Sequence, residues 1–165
     1  MGRQISTFIL GDTILGVDIL LVKEVYRNIE LTPIPDAPAH LRGLMNLRGR
    51  VVTVIDLNVC MNRPEIDSTD ENRLLILKTD DEIAQYQKHG LMEDAKLGED
   101  IVGFLIDRMD DVINVETKNI VPPPPNLESI EEELIEGVIK LGGKLVILLD
   151  VTALLEKIMS VELEN

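Results

Sequence analysis

The sequence predicts a mainly β fold made of one small unit that occurs twice, followed by a C-terminal helix. Residues 43–57 (GLMNLRGRVVTVIDL) recur as residues 137–151 (GVIKLGGKLVILLDV), with two glycines, a leucine and an aspartate in register. Residues 15–25 (LGVDILLVKEV) match residues 102–112 (VGFLIDRMDDV) in the same way. Two copies are too few for a solenoid, which needs at least three repeats to bury a continuous core. We therefore expect two similar β subdomains packed on each other, with a surface or groove between them.

The first copy has the pattern of strands joined by tight turns. Residues 4–10 and 13–19 are apolar segments separated by a Gly-Asp pair, which is typical of a β-hairpin. Three prolines in residues 32–38 exclude a helix or a central strand, because proline lacks an amide donor and fixes φ. Residues 46–57 then predict a second hairpin with Arg48-Gly49 at its tip.

The second copy begins with an apolar strand at residues 73–79. The charged segment 80–100 stands where the first copy has a two-residue turn, and we interpret it as a mobile or partly helical insertion. A tetraproline at 122–125 corresponds to the proline loop of the first copy. The second hairpin has Gly142-Gly143 at its tip. A C-terminal helix is predicted by apolar residues at helical spacing, namely Leu154, Leu155, Ile158 and Val161.

Composition excludes several classes of partner. The chain has 165 residues, a net charge of −14 and 45% hydrophobic residues, among which are two Phe, two Tyr and no Trp. Nucleic acid and anionic membranes are poor partners, because phosphate binding depends on Lys and Arg and base stacking on aromatic rings. Cys60 is alone, so no disulfide framework or zinc cluster is expected. No apolar run approaches a membrane span or a signal peptide, and we expect a soluble, cytoplasmic domain.

The sequence lacks the residue patterns of known catalytic sites. It contains no P-loop, nucleophile elbow or dinucleotide fingerprint. His40 and His89 have no Cys, Asp or Glu at ligand spacing, so we predict no metal and no cofactor. Asp56 and Asp150 end equivalent strands, and this recurrence indicates that they cap the following turns rather than form a catalytic pair. We therefore predict that the protein is not an enzyme.

Segments that cover nearly the whole chain resemble one family. The proline bridge P-x-P-x-x-P-x-x-L-R-G and the hairpin N-L-R-G-R-V-V-T-V-I-D-L closely resemble those of CheW, the adaptor of bacterial chemotaxis arrays. The segments that carry the resemblance are residues 15–25, 33–43, 46–57, 101–112 and 142–150. The resemblance covers about residues 4–160.

The resemblance implies an architecture of two five-stranded β-barrels related by a pseudo-twofold axis. Within one domain, residues 1–165, the first barrel is expected at 13–72 and the second at 73–165. The strand at 4–10 is left open, because it can complete either barrel.

The resemblance also implies a function. A CheW-like chain is a scaffold that couples a CheA-like histidine kinase, through its regulatory domain, to the cytoplasmic hairpin tips of chemoreceptors. It is recruited from the cytoplasm to membrane-associated arrays without inserting into the membrane. The alternative is a CheW-like adaptor of a non-flagellar pathway, such as twitching motility or surface sensing. These two functions differ in the partner, which a fold does not decide.

Five residues are candidates for partner binding. Arg48 is singled out because the equivalent residue of the second copy is Gly142, so the repeat does not require an arginine there. By resemblance Arg48 is associated with coupling, and Val22, Gly43 and Gly103 belong to or lie near the receptor groove. Glu24 is a candidate partner of Arg48 or of a basic residue on another protein. The residues alone leave a structural alternative open for each candidate. Arg48 can be an ordinary exposed turn residue, Glu24 a solvated carboxylate and Val22 a core residue. The two glycines can be required by the backbone alone.

Overall fold

The computed structural model describes residues 2–125 and 127–164, with side chains described as far as residue 158. In chain order the strands are β1 (Gly2–Leu10), β2 (Thr13–Asp18), β3 (Val22–Tyr26), β4 (Leu41–Leu47), β5 (Arg50–Asp56), β6 (Arg73–Leu77), β7 (Ile101–Ile106), β8 (Arg108–Glu116), β9 (Ile120–Val121), β10 (Ile135–Leu141) and β11 (Lys144–Leu149). The helices are α1 (Leu57–Cys60), α2 (Asp80–Gln87) and α3 (Val151–Glu164). The mainly β class and the C-terminal helix predicted from the sequence are confirmed.

The strands form two open sheets. The six-stranded sheet has the order β8-β1-β2-β11-β10-β9, and the five-stranded sheet has the order β3-β6-β7-β5-β4. Among the described residues the edge strands of a sheet do not pair with each other, so the closed barrels that we expected are open. Prolines explain the opening. Thr32 bridges Leu44 beside β4, and β9 pairs with β10, but Pro33 and Pro122 follow directly and have no amide to extend the ladder.

The two copies exchange their first hairpins. β1 and β2 pair with β8 and, in parallel, with β11, so they complete the sheet of the second copy. β6 and β7 join β3 and, in parallel, β5 of the first copy. The sheets therefore do not divide at the expected boundaries, 13–72 and 73–165. The strand at 4–10, whose place the sequence left open, lies in β1 beside β8.

The short connections between strands account for this exchange. A single 3-10 turn, Ile19–Leu21, separates β2 from β3, and Asp107 alone separates β7 from β8. Neither connection forms a hairpin turn, so the chain continues from one sheet directly into the other. The resulting registers are equivalent, because Leu148 lies opposite Gly16 and Val54 lies opposite Gly103. The repeat seen in the sequence is thus a repeat of the structure.

One apolar core lies between the sheets. Phe8 of β1, Ile147 of β11 and Phe104 of β7 belong to it, and all three are buried. A smaller cluster covers the other face of the six-stranded sheet and consists of Ile5, Val115, Ile139, Val146 and Leu148. Since successive residues of a strand face opposite sides, β1 and β11 are covered on both faces. The two sheets therefore pack against each other around one shared core.

The segment 80–100 is partly helical, as the sequence indicates. Its helix α2 begins with a capping box in which Thr79 and Glu82 bond reciprocally. Lys78 donates to the hydroxyl of Tyr86 at 2.8 Å, and the side-chain amide of Gln87 donates to the carbonyls of Met92 and Ala95. The Gln87 bonds hold the segment together, and the Lys78 bond ties α2 to the residue that follows β6.

The C-terminal helix α3 packs by one face, as predicted. Leu154, Leu155 and Ile158 are buried in the main core. The side chain of Val161, which was predicted to share that face, lies outside the described residues.

Candidate partner-binding site

The tip of the hairpin β4–β5 has an unusual backbone. Arg48 and Gly49 have φ of +52° and +83°, and the equivalent residues Gly142 and Gly143 have φ of +46° and +85°. Two left-handed residues in succession are the pattern of a type I′ hairpin turn. The left-handed region costs a residue with a Cβ about 1–2 kcal/mol relative to the right-handed one, a cost that glycine avoids. An arginine at a position where glycine fits without strain indicates that its side chain has a use.

Arg48 forms an ion pair with Glu24. Its Nη2 donates to Glu24 Oε2, and the side chains are 65% and 26% exposed. Glu24 lies in β3, at one edge of the five-stranded sheet, whereas the Arg48 turn belongs to the hairpin at the other edge. The pair therefore spans the opening of a curled sheet. An exposed pair contributes at most about 1 kcal/mol, so its main effect is to orient the two side chains.

The pair lies at a depression of about 170 Å³. Its charged lining residues are Lys23, Glu24, Arg48 and Arg50, and its apolar ones are Leu47, Val52, Ile76 and Ile101. With Glu82, which lies 2.8 Å from Lys23, three cations face two carboxylates here, on a chain whose net charge is −14.

Lys23 was missed by the sequence analysis. It is the additional residue of a β-bulge, because Val22 pairs with Leu77 while Glu24 pairs with the next residue, Ile76. The bulge interrupts the alternation of faces, and Lys23 consequently lines the same depression as Glu24. Nζ of Lys23 lies 2.8 Å from Oε2 of Glu82, which links the depression to α2.

Three of the predicted site residues lie in one row across the sheet. Glu24 pairs with Ile76, Ile76 with Gly103, Gly103 with Val54, and Val54 with Gly43. Both glycines permit close packing. A Cβ on Gly43 would lie 2.6 Å from the carbonyl oxygen of Thr32, and one on Gly103 would lie 2.8 Å from the side chain of Leu74.

Val22 precedes the bulge and packs, half-buried, against the main core. Of the five predicted residues, Glu24 and Arg48 line the depression, while Val22, Gly43 and Gly103 support the sheet beneath it.

A buried carboxylate holds the base of the hairpin. Asp56 is fully buried and accepts hydrogen bonds from the Val59 amide at 3.3 Å and the Ile66 amide at 3.0 Å. It also accepts one from Arg42 Nη1 at 2.8 Å. Asp150 accepts from the Ala153 amide at 3.0 Å. Capping by both aspartates is therefore confirmed, whereas the Arg42 contact was not predicted, because Arg42 is also a bulge residue, between Leu41 and Gly43.

Comparison with known proteins assigns the chain to a family. The family model of the CheW-like domain matches residues 4–159. The chain belongs to the CheW family. It is 34% identical over 152 residues to the chemotaxis protein CheW of Treponema pallidum, covering 90% of this chain and 79% of that protein. It is 30% identical over 155 residues to CheW of Klebsiella aerogenes, covering 94% and 82%.

Two further relatives extend the comparison. The crystal structure of the scaffolding protein TtCheW from Thermoanaerobacter tengcongensis superposes with a TM-score of 0.74 at 26% identity, covering 93% of this chain and 88% of that one. Protein FrzA of Myxococcus xanthus is 29% identical over 141 residues, covering 86% of this chain and 76% of FrzA.

The CheW family consists of adaptors and scaffolds, so the chain is a CheW-type adaptor and not an enzyme. Within the described residues, no three His, Cys, Asp or Glu side chains are grouped to hold a metal ion. No helix in residues 2–125 or 127–164 has the length and apolar character needed to cross a membrane. Burial raises the pKa of the Cys60 thiol to about 12, so this cysteine is a poor nucleophile in the folded protein.

Proposed function

We propose that this CheW-family chain is a cytoplasmic scaffold that couples a CheA-like histidine kinase to the cytoplasmic tips of chemoreceptors in membrane-associated arrays. One sheet would meet the regulatory domain of the kinase. The receptor hairpin would lie along the seam between the sheets, in the manner of a helix in a groove. Family membership over residues 4–159 supports the adaptor class.

The proposed binding site is centred on Arg48 and Glu24. Arg48 offers a planar guanidinium with several donors, one of which is used by Glu24, and the rest of the side chain is exposed. Val22, Gly43 and Gly103 give the sheet the shape that places these two side chains at its opening. The single observation that carries the proposal is the arginine in a left-handed turn whose counterpart in the other copy is glycine.

The test is receptor control of kinase activity in a reconstituted mixture of kinase, receptor and adaptor. Arg48→Ala is expected to weaken the binding of the adaptor to its partners in this mixture by about 10- to 30-fold, which is the loss typical of a central interface arginine. Arg48→Lys is expected to lose most of that amount, because lysine keeps the charge but not the planar fork.

The matched control is Arg27→Ala, which removes an exposed arginine that does not line the depression. It is expected to leave coupling unchanged. Kinase activity that responds to receptor equally with and without the adaptor would contradict the proposal. An Arg48→Ala variant that unfolds would make Arg48 architectural.

A second candidate is an adaptor for a kinase pathway other than flagellar chemotaxis, such as twitching motility or surface sensing. The relative named FrzA, which does not bear the CheW name, favours keeping this candidate. The two candidates differ in partner, so capture of kinases from the native lysate distinguishes them. Recovery of a chemotaxis CheA supports the first, and recovery of a different sensory kinase supports the second.

A further inference from the structure

The depression contains a second cation that competes for Glu24. Lys23 and Glu24 are neighbours in the chain, and the bulge in β3 directs both side chains to the same depression. A lysine ammonium on a flexible stem can reach a neighbouring carboxylate, and its charge equals that of the Arg48 guanidinium. Lys23 is therefore an alternative partner for Glu24 unless another carboxylate binds it.

Glu82 of α2 is the carboxylate that binds Lys23. Its Oε1 accepts hydrogen bonds from the Thr79 amide at 3.1 Å and from the Thr79 hydroxyl at 3.2 Å. Its Oε2 lies 2.8 Å from Nζ of Lys23. The capping box thus fixes one oxygen and aims the other at the lysine.

We infer that Glu82 is a positioning residue for Arg48, because it holds Lys23 and so leaves Glu24 to pair with the guanidinium. Glu82 belongs to the inserted segment 80–100, which therefore helps to position the Arg48–Glu24 pair as well as lengthening the β6–β7 connection. That this pair meets a signalling partner rests on the proposed function. The positioning itself does not, because it occurs within the free chain.

The first experiment measures the free protein. Hydrogen exchange of the Arg48 guanidinium protons is followed by ¹⁵N NMR in the wild type and in Glu82→Gln. Glutamine keeps the capping box, since its carbonyl oxygen still accepts from Thr79, but it carries no charge for Lys23. The exchange is expected to become about two- to fivefold faster, which is the range for loss of an exposed ion pair.

Asp81→Asn is the matched control. It removes the same charge from the preceding residue of α2, whose side chain is exposed, whereas the Lys23 ammonium lies 2.8 Å from Glu82. It is expected to leave Arg48 exchange at the wild-type rate. Equal acceleration in Asp81→Asn and Glu82→Gln would overturn the inference, because the effect would then be general electrostatics.

The second experiment is a rescue. In Lys23→Met/Glu82→Gln the competitor is absent, so Arg48 exchange is expected to return to the wild-type rate. A double variant that stays as fast as Glu82→Gln would overturn the inference and make Glu82 a structural cap. An unchanged rate in Glu82→Gln would overturn it as well.

Receptor control of kinase activity in the reconstituted mixture, measured on the same variants, separates this inference from the proposed function. A wild-type chain that leaves kinase activity independent of receptor contradicts the proposed function, while the exchange rates still decide the role of Glu82. If the wild type couples the two, Glu82→Gln is expected to couple them about two- to fivefold more weakly and the double variant at the wild-type level.

Discussion

The hairpins β4–β5 and β10–β11 are copies of one design with different side chains. Each has a bulge just before a glycine, Gly43 or Gly137, and two left-handed residues at its tip. The tip residue that is Arg48 in the first hairpin is Gly142 in the second. The repeat has kept the backbone of the hairpin, whereas the side chain at its tip differs.

The edge strands β3 and β8 also carry different charged residues at equivalent positions. Lys23 and Glu24 of β3 correspond to Asp110 and Asp111 of β8. Asp110 accepts a hydrogen bond from the Thr7 hydroxyl at 3.1 Å, so it is used within the sheet rather than at an opening. The two halves therefore share a backbone design, and they differ in the charged side chains that this design carries.

The largest expected difference between the halves concerns the strand-ending aspartates. Asp56→Ala leaves Arg42 without its partner and two amides without an acceptor, so the free energy of unfolding should fall by about 3–5 kcal/mol. Asp150→Ala removes one helix-capping bond and should cost about 0.5–2 kcal/mol. Urea unfolding of both variants measures the difference. Equal losses would show that the network around Asp56 adds nothing to capping.

Replacing Gly43 or Gly137, the glycines that follow the bulges, should give a smaller difference in the free energy of unfolding. Gly43 has φ of +146°, and a Cβ there would meet the backbone oxygen of Thr32, so Gly43→Ala should cost about 2–4 kcal/mol. A Cβ on Gly137 would lie 2.6 Å from a methyl group of Ile120 and 3.0 Å from the carbonyl oxygen of Val121, so its nearest contact is a side chain that can move more readily than backbone. Gly137→Ala should cost about 1–3 kcal/mol, less than its counterpart. A larger loss for Gly137→Ala would reverse the comparison.

Exchanging the tip residues tests what the arginine contributes. Gly142→Arg places a Cβ in the left-handed region, so it should lower the free energy of unfolding by about 1–2 kcal/mol. Arg48→Gly relieves the same strain but loses the Glu24 pair, so its net effect should be within about 1 kcal/mol. Thermal unfolding of the two variants measures both effects. A strong destabilisation by Arg48→Gly would assign Arg48 a structural role.

The smallest expected effect is the pH dependence of the Lys23–Glu82 contact. Burial raises the pKa of Glu82, but the hydrogen bonds from Lys23 and Thr79 lower it by more, so the pKa lies below its ordinary value of 4.5. A carboxyl whose pKa falls on folding stabilises the fold above pH 4.5, and this stabilisation is lost as the pH falls through the folded pKa.

The wild type should therefore exceed Glu82→Gln in stability by less than about 1 kcal/mol at neutral pH, and the difference should shrink on acidification. Urea unfolding at a series of pH values checks the trend. A difference that grows as the pH falls would contradict the sign.

Much of the fold follows from local sequence patterns. The prolines, the two hairpin tips, the capping aspartates and the C-terminal helix each depend on residues close together in the chain, and each was predicted. Glu24 was also a predicted candidate partner of Arg48. The exchange of hairpins was not predictable, because an apolar strand has the same pattern whichever sheet it joins, and long-range pairing decides between them.

Two of the three residues that the sequence did not predict lie at β-bulges. Lys23 and Arg42 are the additional residues of bulges in β3 and β4. A bulge breaks the period of two on which the assignment of faces depends, so a residue there points to an unexpected side. Glu82 was missed for a different reason, because the segment 80–100 has only weak helical spacing.

The crossing of strands between the sheets has a mechanical consequence. A cut between residues 72 and 73 would leave each fragment without two strands of the sheet that the rest of it builds, so neither fragment has a complete fold of its own. β2 pairs in parallel with β11 and β7 with β5, so backbone hydrogen bonds join each half of the chain to the other. Bending the two halves apart would require breaking these ladders, so we expect the halves to move as one body.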